Sequence, residues 1–273
     1  MSNNMFSLEG KVAVVTGAGG VLCAEISKGL ARAGAKVALL DLRPDMAEKA
    51  AAEIRGEGFD AAAFECNVLD KASIEKAKDE VLAKFGKVDI LLNGAGGNHP
   101  KGSTSDEMSF FDIPQEAVQW VFNLNILGTI MPTQVFGKLF AEQNSGCVVN
   151  ISSMSAFHPL TRTVAYSAAK ASVSNFTEWM AVHFNQEYSK NIRVNAIAPG
   201  FLLTQQNYYL MVDEKTGGNT PRAEKVLAKT PMDRFGKPEE LVGGVVYLCS
   251  DAATFVNGTV LAIDGGYNAY SGV

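Results

Sequence analysis

Short apolar segments alternate with longer amphipathic segments along almost the whole of this chain. The apolar segments are rich in Val, Ile, Leu and Ala and predict buried strands at Lys11–Thr16, Lys36–Asp41, Ala61–Val68, Val88–Asn93, Gly146–Ser152, Asn191–Ala196 and Thr259–Asp264. The amphipathic segments have helical spacing and predict helices at Gly20–Gly34, Pro44–Glu57, Lys71–Phe85, Pro114–Gln143, Thr163–Lys190 and Pro238–Ser250. Because alternating strands and helices form βαβ units, the pattern predicts a parallel sheet with helices on both faces.

The size and composition of the chain fit one such sheet in a single domain over residues 1–273. Of the 273 residues, 47% are hydrophobic and 19% are charged, which supplies ample material for a core and argues against disorder. Right-handed crossovers then give a Rossmann-like, doubly wound α/β fold. Two long polar stretches, near residues 96–113 and 201–235, interrupt the alternation, and such loops in a compact domain are usually functional. We therefore expect both stretches to bind substrate.

The charge and the cysteine pattern argue against several classes of protein. The net charge of −5 and the lack of a basic run argue against nucleic-acid binding. No apolar run reaches the ~18 residues of a membrane-spanning helix, and Met1–Gly10 lacks the features of a signal peptide. The four cysteines form no CxxC pair and the three histidines form no metal signature. We expect a cytoplasmic protein with no metal site and no membrane or nucleic-acid partner.

A glycine-rich turn joins the first predicted strand to the first predicted helix. Gly17, Gly19 and Gly20 would let the backbone approach a pyrophosphate, and the helix N-terminus would supply free N–H groups. Asp41 ends the second strand, 24 residues after Gly17, where a carboxylate would bind the adenine ribose and repel a 2′-phosphate. This arrangement favours NAD over NADP. The alternative interpretation is that Asp41 merely starts the turn before Pro44.

Four polar residues predict a catalytic site. Tyr166 and Lys170 are spaced i, i+4 on a predicted helix and therefore share one face. Ser153 follows a parallel strand at its C-terminal end, where ligands bind in open α/β sheets. Asn125 offers a polar group within an otherwise apolar helical segment.

These motifs together resemble those of the short-chain dehydrogenase/reductase family over nearly the whole chain. The matching segments are the glycine turn from Gly17, Asn93-Gly94-Ala95-Gly96, Asn125, Ser153, Tyr166-Ser167-Ala168-Ala169-Lys170, Pro199-Gly200 and Asp264-Gly265-Gly266. The resemblance implies an NAD-dependent enzyme that interconverts a secondary alcohol and a ketone. A non-catalytic nucleotide-binding protein is the remote alternative.

The resemblance also implies a role for each site residue. Tyr166 is the general acid/base, and the Lys170 ammonium and the positive nicotinamide lower its pKa. Lys170 also holds the nicotinamide ribose, Ser153 stabilises charge on the substrate oxygen, and Asn125 anchors a water in a proton relay. The implied cofactor contacts are Gly17, Gly19, Gly20, Val21, Leu22, Asp41, Asn67, Val68, Asn93, Ala95, Gly96, Tyr166, Lys170, Pro199, Gly200 and Thr204.

Four positions depart from the family pattern. Val21 and Cys23 stand where related enzymes usually have Gly, and a side chain at Cys23 is expected to loosen the packing of helix against strand. Gly94 stands in place of a second Asn, so one polar group beside the cofactor is absent. Asn67 stands where an Asp often contacts the adenine, which an amide can also do.

A closer resemblance to the D-mannonate oxidoreductase branch of the family suggests D-mannonate and D-fructuronate as the substrate pair. It rests on residues 94–100, 136–138, 153–157 and 269–273. A sugar-acid carboxylate favours a cation, preferably Arg. The candidate substrate contacts are Asn98, His99, Lys101, His158, Arg162 and Gln205. The alternatives are another polyol or keto sugar acid, such as 5-ketogluconate, and, for each contact, a solvated loop residue.

Family resemblance further implies a homotetramer. We expect the interface at Pro238–Ser250 and the last strand, Thr259–Asp264. The apolar run in the late helix fits this expectation, although a helix buried in the core would have the same pattern.

Overall fold

The computed structural model describes residues 4–205 and 207–272. Residues 1–3, Gln206 and Val273 lie outside it, and with them the start of the N-terminal segment, one residue of the 201–235 stretch and the end of the tail. The strands form one parallel sheet in the order β3-β2-β1-β4-β5-β6-β7. They are β1 Val12–Thr16, β2 Lys36–Asp41, β3 Ala61–Glu65, β4 Ile90–Asn93, β5 Gly146–Ile151, β6 Ile192–Pro199 and β7 Val260–Ile263. The predicted Rossmann-like α/β fold in a single domain is confirmed.

Helices cover both faces of this sheet. They are α1 Val21–Arg32, α2 Pro44–Gly56, α3 Lys71–Phe85, α4 Gln115–Phe122, α5 Gly128–Glu142, α6 Val164–Glu187, α7 Tyr208–Met211, α8 Pro221–Ala228 and α9 Val242–Cys249. Ile26, Ile54 and Val245 bury α1, α2 and α9 in the core of one face. Ile74 and Phe136 bury α3 and α5 in the core of the other, which α6 also joins. The strand order reverses beside β1, which creates the crevice where open α/β sheets bind ligands.

Two strands end three residues away from the predicted position, for reasons of pairing. The strand predicted over Ala61–Val68 ends at Glu65, because β3 lies at the edge of the sheet and its neighbour β2 pairs with it no further than Asp41. The strand predicted over Asn191–Ala196 runs from Ile192 to Pro199, since its last residues pair with β7.

The predicted helices over Pro114–Gln143 and Pro238–Ser250 are each interrupted. A π-helical turn, Asn123–Leu127, separates α4 from α5. The amide of the buried Asn125 donates to Val121 O at 2.8 Å and to Gly97 O at 2.7 Å, which places a polar side chain inside the helical stretch. In the second region, a 3₁₀ turn over Pro238–Leu241 precedes α9.

The two long stretches contain little regular structure. Residues 96–113 hold two 3₁₀ turns, Pro100–Gly102 and Phe110–Asp112, and residues 201–235 hold α7 and α8, which the sequence analysis did not predict. The inner face of α9 packs against α1, so part of the apolar run expected at a subunit interface belongs to the core. Within residues 4–205 and 207–272, no helix combines the length and the apolar character needed to cross a membrane.

Candidate active site

The predicted site residues gather at the C-terminal edge of the sheet. The glycine turn follows β1, residues 94–97 follow β4, Ser153 follows β5 and Gly200 follows β6. Because all strands are parallel, the segments after these strands meet at one edge and form the walls of one crevice.

The glycine turn and the segment after β4 face each other at close range. Gly17 has φ +64°, and a Cβ built on it would lie 2.8 Å from Ala95 Cα, so only glycine fits. The Thr16 hydroxyl accepts from Gly94 N at 3.1 Å and from Ala95 N at 3.3 Å, which ties the two segments together.

The N-terminus of α1 suits an anion. Within residues 4–205 and 207–272 no side chain caps it. Its first turn carries no acidic residue, and Gly20 O accepts the first helical hydrogen bond, from Ala24 N at 2.8 Å. The N–H groups of Val21 and Leu22 therefore have no partner within the helix. Free N–H groups and the helix dipole together favour a phosphate group. The residues present thus fit the pyrophosphate of a dinucleotide.

Asp41 holds the glycine turn as well as its own turn. Its Oδ2 accepts from Gly19 N and its Oδ1 from Arg43 N, both at 2.9 Å. The alternative interpretation, that Asp41 starts the turn before Pro44, is therefore correct in part. Each carboxylate oxygen has a further lone pair, so these bonds leave room for ribose hydroxyls.

Asn67, Asn93 and Thr204 already have partners in the protein. Asn67 Oδ1 accepts from Leu69 N at 3.0 Å, and the Thr204 hydroxyl donates to Asn207 Oδ1 at 3.2 Å. Asn93 is buried and its amide donates to Thr133 Oγ1 at 2.9 Å. In the described part of the chain Asn93 Oδ1 has no hydrogen-bond partner.

Tyr166, Ser153 and Lys170 lie together at the end of β5. The Ser153 side chain interacts with the Tyr166 hydroxyl, and its Oγ accepts from Ser155 N at 3.1 Å. Lys170 Nζ lies 5.7 Å from the centroid of the Tyr166 ring and donates to Ile151 O at 2.7 Å. The i, i+4 spacing thus places both side chains on the face of α6 that meets the end of β5.

Asn125 joins this group across Gly96. A Cβ built on Gly96 would lie 2.7 Å from Asn125 Oδ1 and 3.3 Å from Lys170 Nζ. The missing side chain therefore lets Asn125 and Lys170 approach the same backbone segment, and the structure brings all four predicted catalytic residues together.

Burial shifts both titratable groups of the site. Desolvation lowers the pKa of Lys170 to about 8. Desolvation also raises the pKa of Tyr166, and the interaction with Ser153 only partly opposes this. In the protein by itself the cost of burying a phenolate therefore sets the direction of the shift, and the lowering of the Tyr166 pKa by Lys170 together with a positive nicotinamide stays a prediction.

The comparisons with known proteins agree with this geometry. The model of a family described as enoyl-(acyl carrier protein) reductase matches residues 17–268. The chain is a short-chain dehydrogenase/reductase. An uncharacterised oxidoreductase of Haemophilus influenzae is 48% identical, over 98% of this chain and 96% of that protein.

Two solved structures of this short-chain dehydrogenase/reductase fold carry cofactors. One, from Haemophilus influenzae and provisionally named a D-mannonate oxidoreductase, contains NAD, is 47% identical, covers 98% of both chains and has a TM-score of 0.93. The other, from Beutenbergia cavernae and provisionally named a gluconate 5-dehydrogenase, contains NADP at low occupancy, is 32% identical, covers 97% of this chain and 100% of that chain, and has a TM-score of 0.85. This chain is therefore an oxidoreductase with relatives that are named as sugar-acid dehydrogenases.

The predicted substrate residues of this short-chain dehydrogenase/reductase lie in two groups. Asn98 donates to Ser103 Oγ at 2.9 Å, and the His99 ring meets Trp120 edge to face at 5.4 Å, with Lys101 exposed beside it. Arg162 joins this group, because Thr104 N donates to its carbonyl at 2.9 Å.

The other two predicted substrate residues, His158 and Gln205, have different surroundings. His158 Nε2 lies 3.3 Å from Asn268 O, and the exposed Gln205 lies in the stretch after β6.

The guanidinium of Arg162 is already paired with a carboxylate, that of Asp106, at 2.7 Å. A substrate carboxylate would therefore have to displace Asp106.

Sequence reasoning missed Tyr267 and Lys229. Tyr267 is buried with Met154, which follows Ser153, and its ring meets Phe201 edge to face at 5.3 Å. Lys229 Nζ lies 5.0 Å above the same ring. An aromatic residue directly after Gly265-Gly266 was a usable signal, whereas Lys229 could not be placed because α8 was not predicted.

Cys23 does not loosen the packing of α1, contrary to the prediction. It is 4% exposed, and its Sγ occupies the space where a side chain at Gly94 would begin: a Cβ there would lie 2.2 Å from the sulfur. The two departures from the family pattern are therefore complementary in size.

The pKa of Lys170 predicts a pH dependence of stability. Its pKa is about 8 in the folded chain, below the ordinary 10.5, so the unfolded chain binds more protons between these values. Stability should therefore rise with pH in this window, by about 2 kcal/mol between about pH 7 and 9.5, relative to Lys170→Met. Urea unfolding of both proteins at the two pH values measures the difference, and parallel profiles would contradict the assigned shift.

Proposed function

We propose that this chain is an NAD-dependent dehydrogenase that interconverts D-mannonate and D-fructuronate. The observation that carries the proposal is the placement of Tyr166 beside Ser153 and Lys170, at the edge of the sheet that holds the glycine turn. This arrangement supplies a proton donor and a charge-stabilising hydroxyl next to a dinucleotide-binding turn. It therefore supports alcohol–ketone chemistry rather than a non-catalytic role.

Tyr166 and Ser153 would both act on the substrate oxygen, in different roles. The bound nicotinamide supplies the hydride-transfer chemistry. During ketone reduction, Tyr166 donates its proton to the carbonyl oxygen, while the Ser153 hydroxyl donates a hydrogen bond that stabilises the developing charge. A neutral tyrosine suits this direction, and its raised pKa keeps the hydroxyl protonated at neutral pH.

Lys170 and Asn125 would supply protons to Tyr166. With one N–H of Lys170 donated to Ile151 O, two more remain for the nicotinamide ribose and for a water. Asn125, across Gly96, would hold that water and so connect Lys170 to solvent. This relay returns a proton to Tyr166 after each reduction.

We propose NAD rather than NADP because of the charge at Asp41. Its carboxylate lies at the end of β2 beside Gly19, where it would bind the ribose hydroxyls and repel a 2′-phosphate. The other proposed cofactor contacts line the glycine turn, residues 67–68, residues 93–96 and the segment after β6.

Asp41→Asn should narrow the preference for NAD over NADP. The amide keeps the size of the side chain but removes the charge and one of the two oxygens that accept from Gly19 N and Arg43 N, so we expect the ratio of kcat/KM for the two cofactors to fall about tenfold. Steady-state kinetics with both cofactors measures this ratio. Asp45→Asn, at an exposed position on α2, is the matched control. An unchanged ratio in Asp41→Asn would contradict the ribose assignment.

The proposed substrate is a sugar acid bound between the 96–113 and 201–235 stretches. Relatives named for D-mannonate and gluconate chemistry support this class. Lys101, Arg162 and His158 provide cationic or titratable partners for its carboxylate, and Lys229 adds a fourth. Asn98, His99 and Gln205 would bond to the hydroxyl groups.

Oxidation of NADH with D-fructuronate, 5-ketogluconate and fructose at matched concentrations tests the substrate. Turnover confined to D-fructuronate would support the proposal. Turnover with 5-ketogluconate alone would move the enzyme to the gluconate branch, which the NADP-bound relative represents. No turnover with any of the three keto sugars, with NADH binding retained, would favour the non-catalytic alternative.

We further propose a cytoplasmic homotetramer that uses the outer surfaces of α9 and β7. β7 is an edge strand with half-exposed side chains, which a second copy could cover. Light scattering coupled to size-exclusion chromatography measures the assembly, and a monomeric mass would overturn it.

A further inference from the structure

Cys23 and Gly94 meet beneath the cofactor crevice. Cys23 lies in the first turn of α1, and Gly94 is the first residue after β4. A Cβ built on Gly94 would lie 2.2 Å from Cys23 Sγ, 2.8 Å from Thr16 O and 3.3 Å from Leu92 Cδ2. The sulfur is thus the nearest atom to any side chain at position 94.

We propose that Cys23 and Gly94 are a matched pair of positioning residues, which together set the distance between the glycine turn and residues 94–96. The thiol fills the space that the missing side chain leaves, and neither residue can be changed to another size without the other. The inference rests on the proposed nicotinamide cofactor, because that crevice is the one whose width the pair would fix.

If Gly94 moved, its neighbours in the chain would move with it into contact with residues of the proposed cofactor site. Its neighbour Ala95 lies against Gly17, where a Cβ would come within 2.8 Å of Ala95 Cα. The next residue, Gly96, lies between Asn125 and Lys170. A shift at position 94 would therefore move both the wall of the pyrophosphate site and the segment beside Lys170.

The thiol acts through its size. Cys23 is 4% exposed, and burial raises the pKa of the thiol to about 12, so it is neutral and unreactive at physiological pH. A role as a redox or alkylation target is thus not supported. The closely packed environment instead makes the volume of one sulfur atom significant.

A double-mutant cycle tests the pair, with the variants Cys23→Ala, Gly94→Ala and the double variant. In Gly94→Ala the new Cβ meets the sulfur, and we expect the Kd for NADH to rise about tenfold or more. In Cys23→Ala the void should raise the Kd about threefold. The double variant moves volume from position 23 to position 94, so its Kd should fall below that of Gly94→Ala. Recovery will be incomplete, because Thr16 O stays 2.8 Å from the new Cβ.

NADH fluorescence titration gives the Kd, and thermal unfolding without cofactor gives the stability of each variant. Gly56→Ala, at the end of α2 with open space around it, is the matched control and should change neither the Kd nor the kinetics. If Gly94→Ala fails to fold, recovery of folded protein in the double variant supports the pair, and failure of both overturns it.

Two results would overturn the inference in folded variants. One is a Kd for the double variant that equals or exceeds the Kd of Gly94→Ala. The other is a change in thermal stability with no change in Kd, which indicates a purely structural role. Failure of the cofactor proposal looks different: the wild-type chain would bind NADPH and not NADH, and the same cycle would then be measured with NADPH.

Discussion

Tyr166→Phe is expected to lower kcat for ketone reduction about 10³-fold while leaving NADH binding within about threefold of the wild type. The substitution removes only the hydroxyl, which interacts with Ser153 and is the proposed proton donor. The ring stays, and with it the packing beside Lys170 Nζ at 5.7 Å. Loss of chemistry should therefore separate cleanly from loss of binding.

Single-turnover kinetics and NADH titration on the same preparation measure both quantities. Tyr188→Phe, at the exposed C-terminal end of α6, removes an equivalent hydroxyl away from the crevice and serves as the control. Substantial turnover by Tyr166→Phe would show that another group donates the proton.

Asn150→Ala should cause the largest loss of stability. Asn150 is fully buried in β5, where its Oδ1 accepts from Asn93 Nδ2 at 2.8 Å and its amide donates to Thr177 Oγ1 at 2.9 Å. The side chain thus joins β4, β5 and α6. Its removal leaves both partners short of a hydrogen bond and creates a void, so the free energy of unfolding should fall by about 3 kcal/mol.

Urea unfolding of the wild type and the variant measures this change as a shift of the midpoint at constant slope. Asn191→Ala provides the control, because Asn191 is exposed and, among the residues that the structure describes, its side chain bonds only to Asn144 O, at 3.3 Å. A fall below about 1 kcal/mol in Asn150→Ala would show that water or rearranged neighbours replace the lost bonds.

The order of the elements and the approach of Tyr166 to Lys170 could be predicted because both depend on local spacing. Apolar runs separated by amphipathic segments give the sheet, and an i, i+4 pair on one helix brings Tyr166 and Lys170 together wherever that helix docks. Ser153 and Gly17 could be placed for a related reason, since each directly follows a buried strand of a parallel sheet.

The choice of hydrogen-bond partners could not be predicted, because it depends on residues far apart in the sequence. Arg162 pairs with Asp106, 56 residues away, so an apparently free cation has a carboxylate beside it. Asn125 donates to Gly97 O, and it lies in the π turn that divides a helix expected to be continuous. The fit of Cys23 against Gly94 likewise depends on the approach of α1 to β4, which no local pattern encodes.

The order of the strands has a consequence for a chain that is still being synthesised. β1, β2 and β3 leave the ribosome first and contain the glycine turn and Asp41, but the free edge of β1 remains open until β4 pairs with it. Tyr166 and Lys170 follow only after β5, and Gly200 after β6. A nascent chain would therefore acquire the residues proposed to hold a nucleotide well before those proposed to carry out the chemistry.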